Sequence, residues 1–181
     1  RTLPDGESLP RVADVASTAF LYRALDRPDA KLMPLLLAAD ALRRAGATRV
    51  VLVAPYMPYL RQDAVFHPGE PLSRDVIGAL LGAAFDRVVT VEPHLHRTGD
   101  LTPVFGGTPV TALSAADLIV QRLSLACGPA VVGPDAESAP WVRHIAERLG
   151  MPWFVGTKER RGDRDVQVAF ASAALVQGRR V

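Results

Sequence analysis

The residues best suited to chemistry in this chain stand just after apolar runs. Arg61 and Gln62 follow RVVLVAP, inside the excursion PYMPYLRQDAVFHPGEPLS at 55–73. His94 and His96 follow VVTVE, Asp135 follows VVG, and Lys158, Arg160 and Arg161 follow WFVGT. Lysine and arginine side chains in such places suit the neutralisation of charge on phosphoryl oxygens. A single aspartate suits Mg²⁺, which needs few protein ligands because phosphates and water complete its shell. Two histidines two residues apart share one face of a strand or converge in a loop, and the second pair that a zinc site would want (HxxxH or CxxC) is absent. Each piece also has an ordinary reading. The histidines serve equally as loop residues, Asp135 as a helix cap, and the alternating charges around Gly162 as a solvated loop rather than a cationic lid. For Arg61 and Gln62 the prolines weigh against a slack surface loop, because Pro55 and Pro58 restrict the backbone and hold the segment in one extended shape.

The elements that must carry these groups alternate. Thr18 to Ala24, Arg49 to Ala54, Arg87 to Glu92, Ala130 to Gly133, Trp153 to Thr157 and Val166 to Phe170 read as strands, rich in Val, Ile and Leu. Ala30 to Ala45 reads as a helix closed by Gly46, and Ser73 to Phe85 as a helix with Ser73 as N-cap and Asp75 in its first turn. Ser114 caps a helix through Leu123, with Asp117 three residues on, and Pro140 opens another that runs through Leu149 and ends at Gly150. Strands alternating with helices predict an α/β fold with parallel sheets covered on both faces, and in such sheets ligands gather at the carboxyl ends of strands. The turn-rich FGGTPV at 105–110 is the best break between the two series, dividing the chain into 1–111 and 112–181.

Bulk properties narrow the partners. The 181 residues are 49% hydrophobic and 22% charged, which allows one large domain or two small ones. The net charge of +2 suits phosphate handling, and no basic run interleaved with aromatics argues for nucleic acid. The single cysteine, Cys127, excludes a disulfide within the chain and sits in an apolar stretch as a small hydrophobe. No apolar run reaches membrane-spanning length and no signal peptide is visible, so a soluble, cytoplasmic protein is expected. The start at Arg1 and the stop after Gly178-Arg179-Arg180-Val181 read as cuts on both sides.

In series, PYMPYLRQD, GEPLS, VEPHLH, GPDAE and KERR resemble the ribose-phosphate pyrophosphokinase (PRPP synthetase) family, in that family's order and at about its intervals. The N-terminal LPDGE is similar to a further family segment, so the resemblance runs over nearly the whole chain. PYxxYxRQD is highly specific, and the others gain strength only in series. The resemblance implies two phosphoribosyltransferase-like doubly wound domains, the second truncated here. It implies transfer of pyrophosphate from ATP to C1 of ribose 5-phosphate, with Mg²⁺, in a homo-oligomer (a dimer, or a hexamer built of dimers).

By position, the resemblance implies that Arg61 and Gln62 hold ATP, that Asp5 and Glu7 reach the adenine of ATP in a neighbouring subunit, and that His94 and Asp135 serve the metal and the phosphates. Lys158 and Arg160 are then the catalytic cations. The excursion at 55–73 becomes a nucleotide-gripping arm whose outer part meets another subunit. The family aromatic near the start is Leu3 here, Glu92-Pro93 replaces Asp-Leu, Ala64 and Val65 replace positive residues, and the Ser-Val-Arg-Gly segment is not recognisable in PRVADVAST. The ribose-5-phosphate loop (D-D-x-x-x-T-G-x-T) has its expected place beyond Val181. A non-catalytic homologue acting as a nucleotide-binding or regulatory subunit is the second reading, with the retained Lys158 and Arg160 favouring the enzyme. A phosphoribosyltransferase is the third, and it has no use for RQD or KERR.

Overall fold

The computed structural model describes residues 1–95, 98–123, 130–160 and 166–170, with the side chains of 159, 160 and 166 excepted. The chain forms two compact units, Arg1–Leu113 and Ser114–Val181. Parallel strands alternate with helices in both, so the α/β class expected from the hydrophobic pattern is the class observed.

In the first unit, β1 (Thr18–Tyr22), β2 (Arg49–Val53), β3 (Arg87–Val91) and β4 (Val110–Leu113) form one parallel sheet in sequential order. Helix α1 (Asp29–Arg44) links β1 to β2, and α2 (Ser73–Ala84) links β2 to β3. The two helices pack on each other and share one core with Val50, Leu52 and Val88. Sequential parallel strands with right-handed crossovers place their connections on a common face, and the alternation of β1 fits. Ala19 and Leu21 face that core, whereas Phe20 and Tyr22 are 71% and 69% exposed. Strand β4 was not expected from the pattern, because it is short, half exposed and lies directly after the turn residues of FGGTPV.

Local signals end the helices where expected. Gly46 follows α1 with φ 108°, a left-handed region that costs glycine little. Ser73 is not the N-cap of α2. It is the first helical residue, and the capping position belongs to Leu72.

The glycines inside α2 have a packing purpose. A Cβ at Gly82 would stand 2.0 Å from the carbonyl oxygen of Phe105, and one at Gly78 would stand 2.5 Å from that of Val104. The i,i+4 pair therefore lets the 101–107 segment lie directly on the helix. Alanine is the better helix former by about 1 kcal/mol, yet Gly82→Ala is expected to destabilise by about 2 kcal/mol net, because the clash is with backbone. A shift of the urea midpoint to higher concentration in that variant would refute the close approach.

In the second unit, α3 (Ala116–Arg122) and α4 (Ala139–Leu149) pack on each other, and α4 covers the parallel pair β5 (Val131–Gly133) and β6 (Trp153–Val155). Ser114 accepts from the Ala116 N–H just before α3. Gly150, at φ 63°, ends α4. After Gly156 the chain enters β7 (Thr157–Arg160), which pairs antiparallel with β8 (Val166–Ala169). The charged KERR stretch thus begins as a strand rather than a loop. No helix among the described residues is long and apolar enough to cross a membrane.

Candidate functional site

The carboxyl edge of the first unit's sheet carries most of its backbone strain. Among the described residues, four non-glycine residues have positive φ: Asp14, Arg27, Tyr59 and Glu92. Three of them come after strands, with Arg27 beyond β1, Tyr59 beyond β2 and Glu92 directly after β3. Left-handed backbone costs a side-chain-bearing residue on the order of 1 kcal/mol or more, and it collects where a fold aims groups at a ligand. A cavity of about 370 Å³ opens between the β1–α1 and β2–α2 connections, with Arg27, Asp29, Tyr56 and Tyr59 in its wall. Sequence reasoning missed Arg27, Asp29 and Tyr59. The one available signal was Tyr59's place inside PYMPYLRQD.

Arg61 and Gln62 stand on this edge, exposed, in a turn in which the Gln62 N–H donates to the Tyr59 carbonyl at 3.1 Å. The Gln62 carbonyl in turn accepts from the Arg74 N–H at the start of α2, at 3.3 Å. Met57, Pro58 and Leu60 are buried, which pins the arm to the core from beneath. Further out, a second turn is closed by Glu70, which accepts from the His67 backbone N–H at 3.0 Å and meets its imidazole at 2.9 Å. The imidazole contact, with the backbone bonds, holds the Glu70 carboxyl below the usual carboxylate range. Val65 and Phe66 beside it are 54% and 59% exposed.

His94 lies half-buried, three residues past the end of β3. The strained Glu92 precedes it, and the Glu92 N–H donates to the Leu113 carbonyl at 2.9 Å. Asp5 and Glu7 are exposed in a tight N-terminal turn closed by the Thr2–Ser8 bridge, with the Glu7 N–H donating to Asp5 Oδ1 at 3.1 Å. No hydrogen bond among the described residues joins Asp5 or Glu7 to Arg61 or Gln62.

In the second unit the structure brings together two residues that the sequence placed in separate segments. Asp135 follows β5, and Lys158 lies in β7. Lys158 Nζ stands 3.8 Å from Asp135 Oδ2. Asp135 Oδ1 accepts from the Ser138 N–H at 3.2 Å and caps the 3₁₀ turn Ala136–Ser138. The cap is thus observed, and the second oxygen faces the Lys158 ammonium. Gly133 permits this packing, because a Cβ there would stand 2.1 Å from Ser138 Oγ. Arg160 is placed in β7, two residues from Lys158. His96, Arg161, Cys127 and the Arg160 side chain lie outside the described residues.

A Mg²⁺ ion is the metal expected from the sequence. Among the described residues, no group of three or more His, Cys, Asp or Glu could hold a metal ion alone. Mg²⁺ needs few protein ligands where phosphate and water complete its shell, and Asp135 Oδ2, the oxygen not engaged in the cap, is the one a cation would meet, beside Lys158 Nζ.

These features define an α/β protein of two units, each with charged side chains after its parallel strands. Residues 5–84 match the family model described as the N-terminal domain of ribose phosphate pyrophosphokinase. The chain is 34% identical to a ribose-phosphate pyrophosphokinase of Aeropyrum pernix over 83% of its own length and 50% of that protein's. It is 31% identical to that of Methanopyrus kandleri, over 91% of this chain and 57% of that one. Among solved structures, the phosphoribosylpyrophosphate synthetase of Mycobacterium smegmatis superposes with a TM-score of 0.73 at 27% identity, over 94% of this chain and 57% of that chain. The chain is thus similar to the ribose-phosphate pyrophosphokinases, the family its motifs resemble, and it spans about half the length of the curated relatives it matches.

Proposed function

We propose that this protein belongs to an ATP-dependent ribose-phosphate diphosphokinase, which moves pyrophosphate from ATP to C1 of ribose 5-phosphate and yields PRPP and AMP. The observation that carries the reading is the ordered motif series, PYMPYLRQD through KERR, within a chain similar over most of its length to proteins of that name. We take the first unit as the N-terminal domain and the second as the start of the C-terminal domain.

On this reading, Arg61 and Gln62 grip ATP from their turn beyond β2. Asp5 and Glu7 meet the adenine of ATP bound by a neighbouring subunit, and their exposure leaves them accessible to it. The exposed Val65 and Phe66 on the outer arm supply apolar surface for a second subunit in a homo-oligomer. Asp135 and His94 would serve Mg²⁺ and the phosphates, and the ion when bound would neutralise phosphate charge. The C1 hydroxyl attacks the β-phosphorus, the α,β-bridging P–O bond breaks, and AMP departs. Such a transition state needs positioning and charge neutralisation more than covalent help. Lys158 and Arg160 supply the fixed positive charge. The cytoplasm is the compartment we assign.

The test is an assay of the intact protein with ATP, Mg²⁺ and ribose 5-phosphate, following AMP and PRPP. Equimolar AMP and PRPP are expected. ATP binding without release of AMP would overturn the enzymatic reading in favour of a nucleotide-binding subunit.

A further inference from the structure

The pair Asp29 and Tyr59 lies thirty residues apart in sequence and meets at the carboxyl edge of the sheet. The Tyr59 hydroxyl donates to Asp29 Oδ1 at 2.5 Å. Asp29 is the first residue of α1, where a carboxylate also complements the helix dipole. Tyr59 is half-buried against the core, and its backbone is left-handed at φ 63°, a conformation that bulky residues avoid. Its carbonyl is the acceptor that closes the turn to the Gln62 N–H. The neighbouring carboxylate also raises the Tyr59 hydroxyl above the usual phenol range, so it remains a donor at neutral pH.

A left-handed tyrosine needs something to hold it. Burial of Met57, Pro58 and Leu60 anchors the chain up to this point. Beyond it, Arg61 and Gln62 are exposed, and their backbone is held by the Tyr59–Gln62 turn and by the bond from the Arg74 N–H to the Gln62 carbonyl. We propose that the Asp29–Tyr59 hydrogen bond is a positioning device that locks the Tyr59–Gln62 turn and thereby aims Arg61 and Gln62 at the nucleotide. The inference rests on the function proposed above for what the arm binds, but not for the turn itself. Asp29 and Tyr59 act through Arg61 and Gln62 and need not touch the ligand.

The experiment uses the intact protein and four variants: Tyr59→Phe, Asp29→Ala, their combination, and Asp29→Asn, whose amide oxygen still accepts. Two quantities are read: ATP affinity by calorimetry and amide exchange at Gln62. Tyr59→Phe and Asp29→Ala are each expected to weaken ATP binding about five- to tenfold, the worth of one hydrogen bond of ordinary strength. Gln62 exchange should speed up in parallel. The double variant should be no worse than either single one, and Asp29→Asn should recover most of the loss. Additive losses, or unchanged Gln62 exchange, would overturn the proposal. Faster exchange with unchanged ATP affinity would overturn the aiming of Arg61 and Gln62. If the unmodified protein binds no ATP, the proposed function fails, and the exchange pattern alone still decides whether the pair locks the turn.

Discussion

Lys158→Ala and Arg160→Ala are each expected to lower turnover by about two to three orders of magnitude while leaving ATP affinity within about twofold. The physical argument is differential. A cation that meets charge developing on the transferred pyrophosphoryl group acts in the transition state and contributes little to holding ATP in the ground state. On the proposed function, Lys158 and Arg160 are these cations. Lys158 lies in β7, whose antiparallel pairing with β8 sets it opposite Val168, and its ammonium faces Asp135 Oδ2 at 3.8 Å. Single-turnover kinetics with saturating ATP and ribose 5-phosphate would separate the chemical step from binding. Unchanged turnover in both variants would remove these residues from the mechanism. A large loss of ATP affinity with unchanged turnover would recast them as ground-state binders.

Phe105→Ala is expected to cost about 3–5 kcal/mol of stability, the range for truncating a fully buried aromatic side chain. Phe105 is 1% exposed and belongs to the core shared by α1, α2 and the sheet. Its backbone lies over Gly82, so neither the helix nor the segment can close on the space left behind without moving the other. Urea unfolding followed by far-ultraviolet circular dichroism checks the value. A loss below about 1 kcal/mol would mean that the 101–107 segment is a surface connection.

That residue also shows how far a local signal reaches. FGGTPV reads as a break because its glycines and proline announce turns, and the turns are there, with Gly106 and Gly107 both at positive φ. Turn chemistry is local, however, and says nothing about whether the residue just before the glycines is packed. Lys158 and Arg160 show the same limit. Alternating charges and a glycine look like a mobile loop, yet the backbone of KER continues Thr157 as a strand because Val166–Ala169 pairs with it. A hairpin partner eight residues further along contributes nothing to the local charge pattern.

By itself the sequence determined what short-range forces decide. Apolar, β-branched runs such as RVVLV and RVVTV could be satisfied only as strands, and Gly46 and Gly150 end α1 and α4 because left-handed backbone is cheap only for glycine. It also determined the kinship, since PYMPYLRQD carries its information in residue types at fixed spacing. Only the tertiary structure decided which residues meet. It set Tyr59 against Asp29, Lys158 against Asp135, and Gly82 beneath Phe105. These contacts join residues far apart in the chain. Their energies depend on burial and mutual orientation, which no local window of sequence contains.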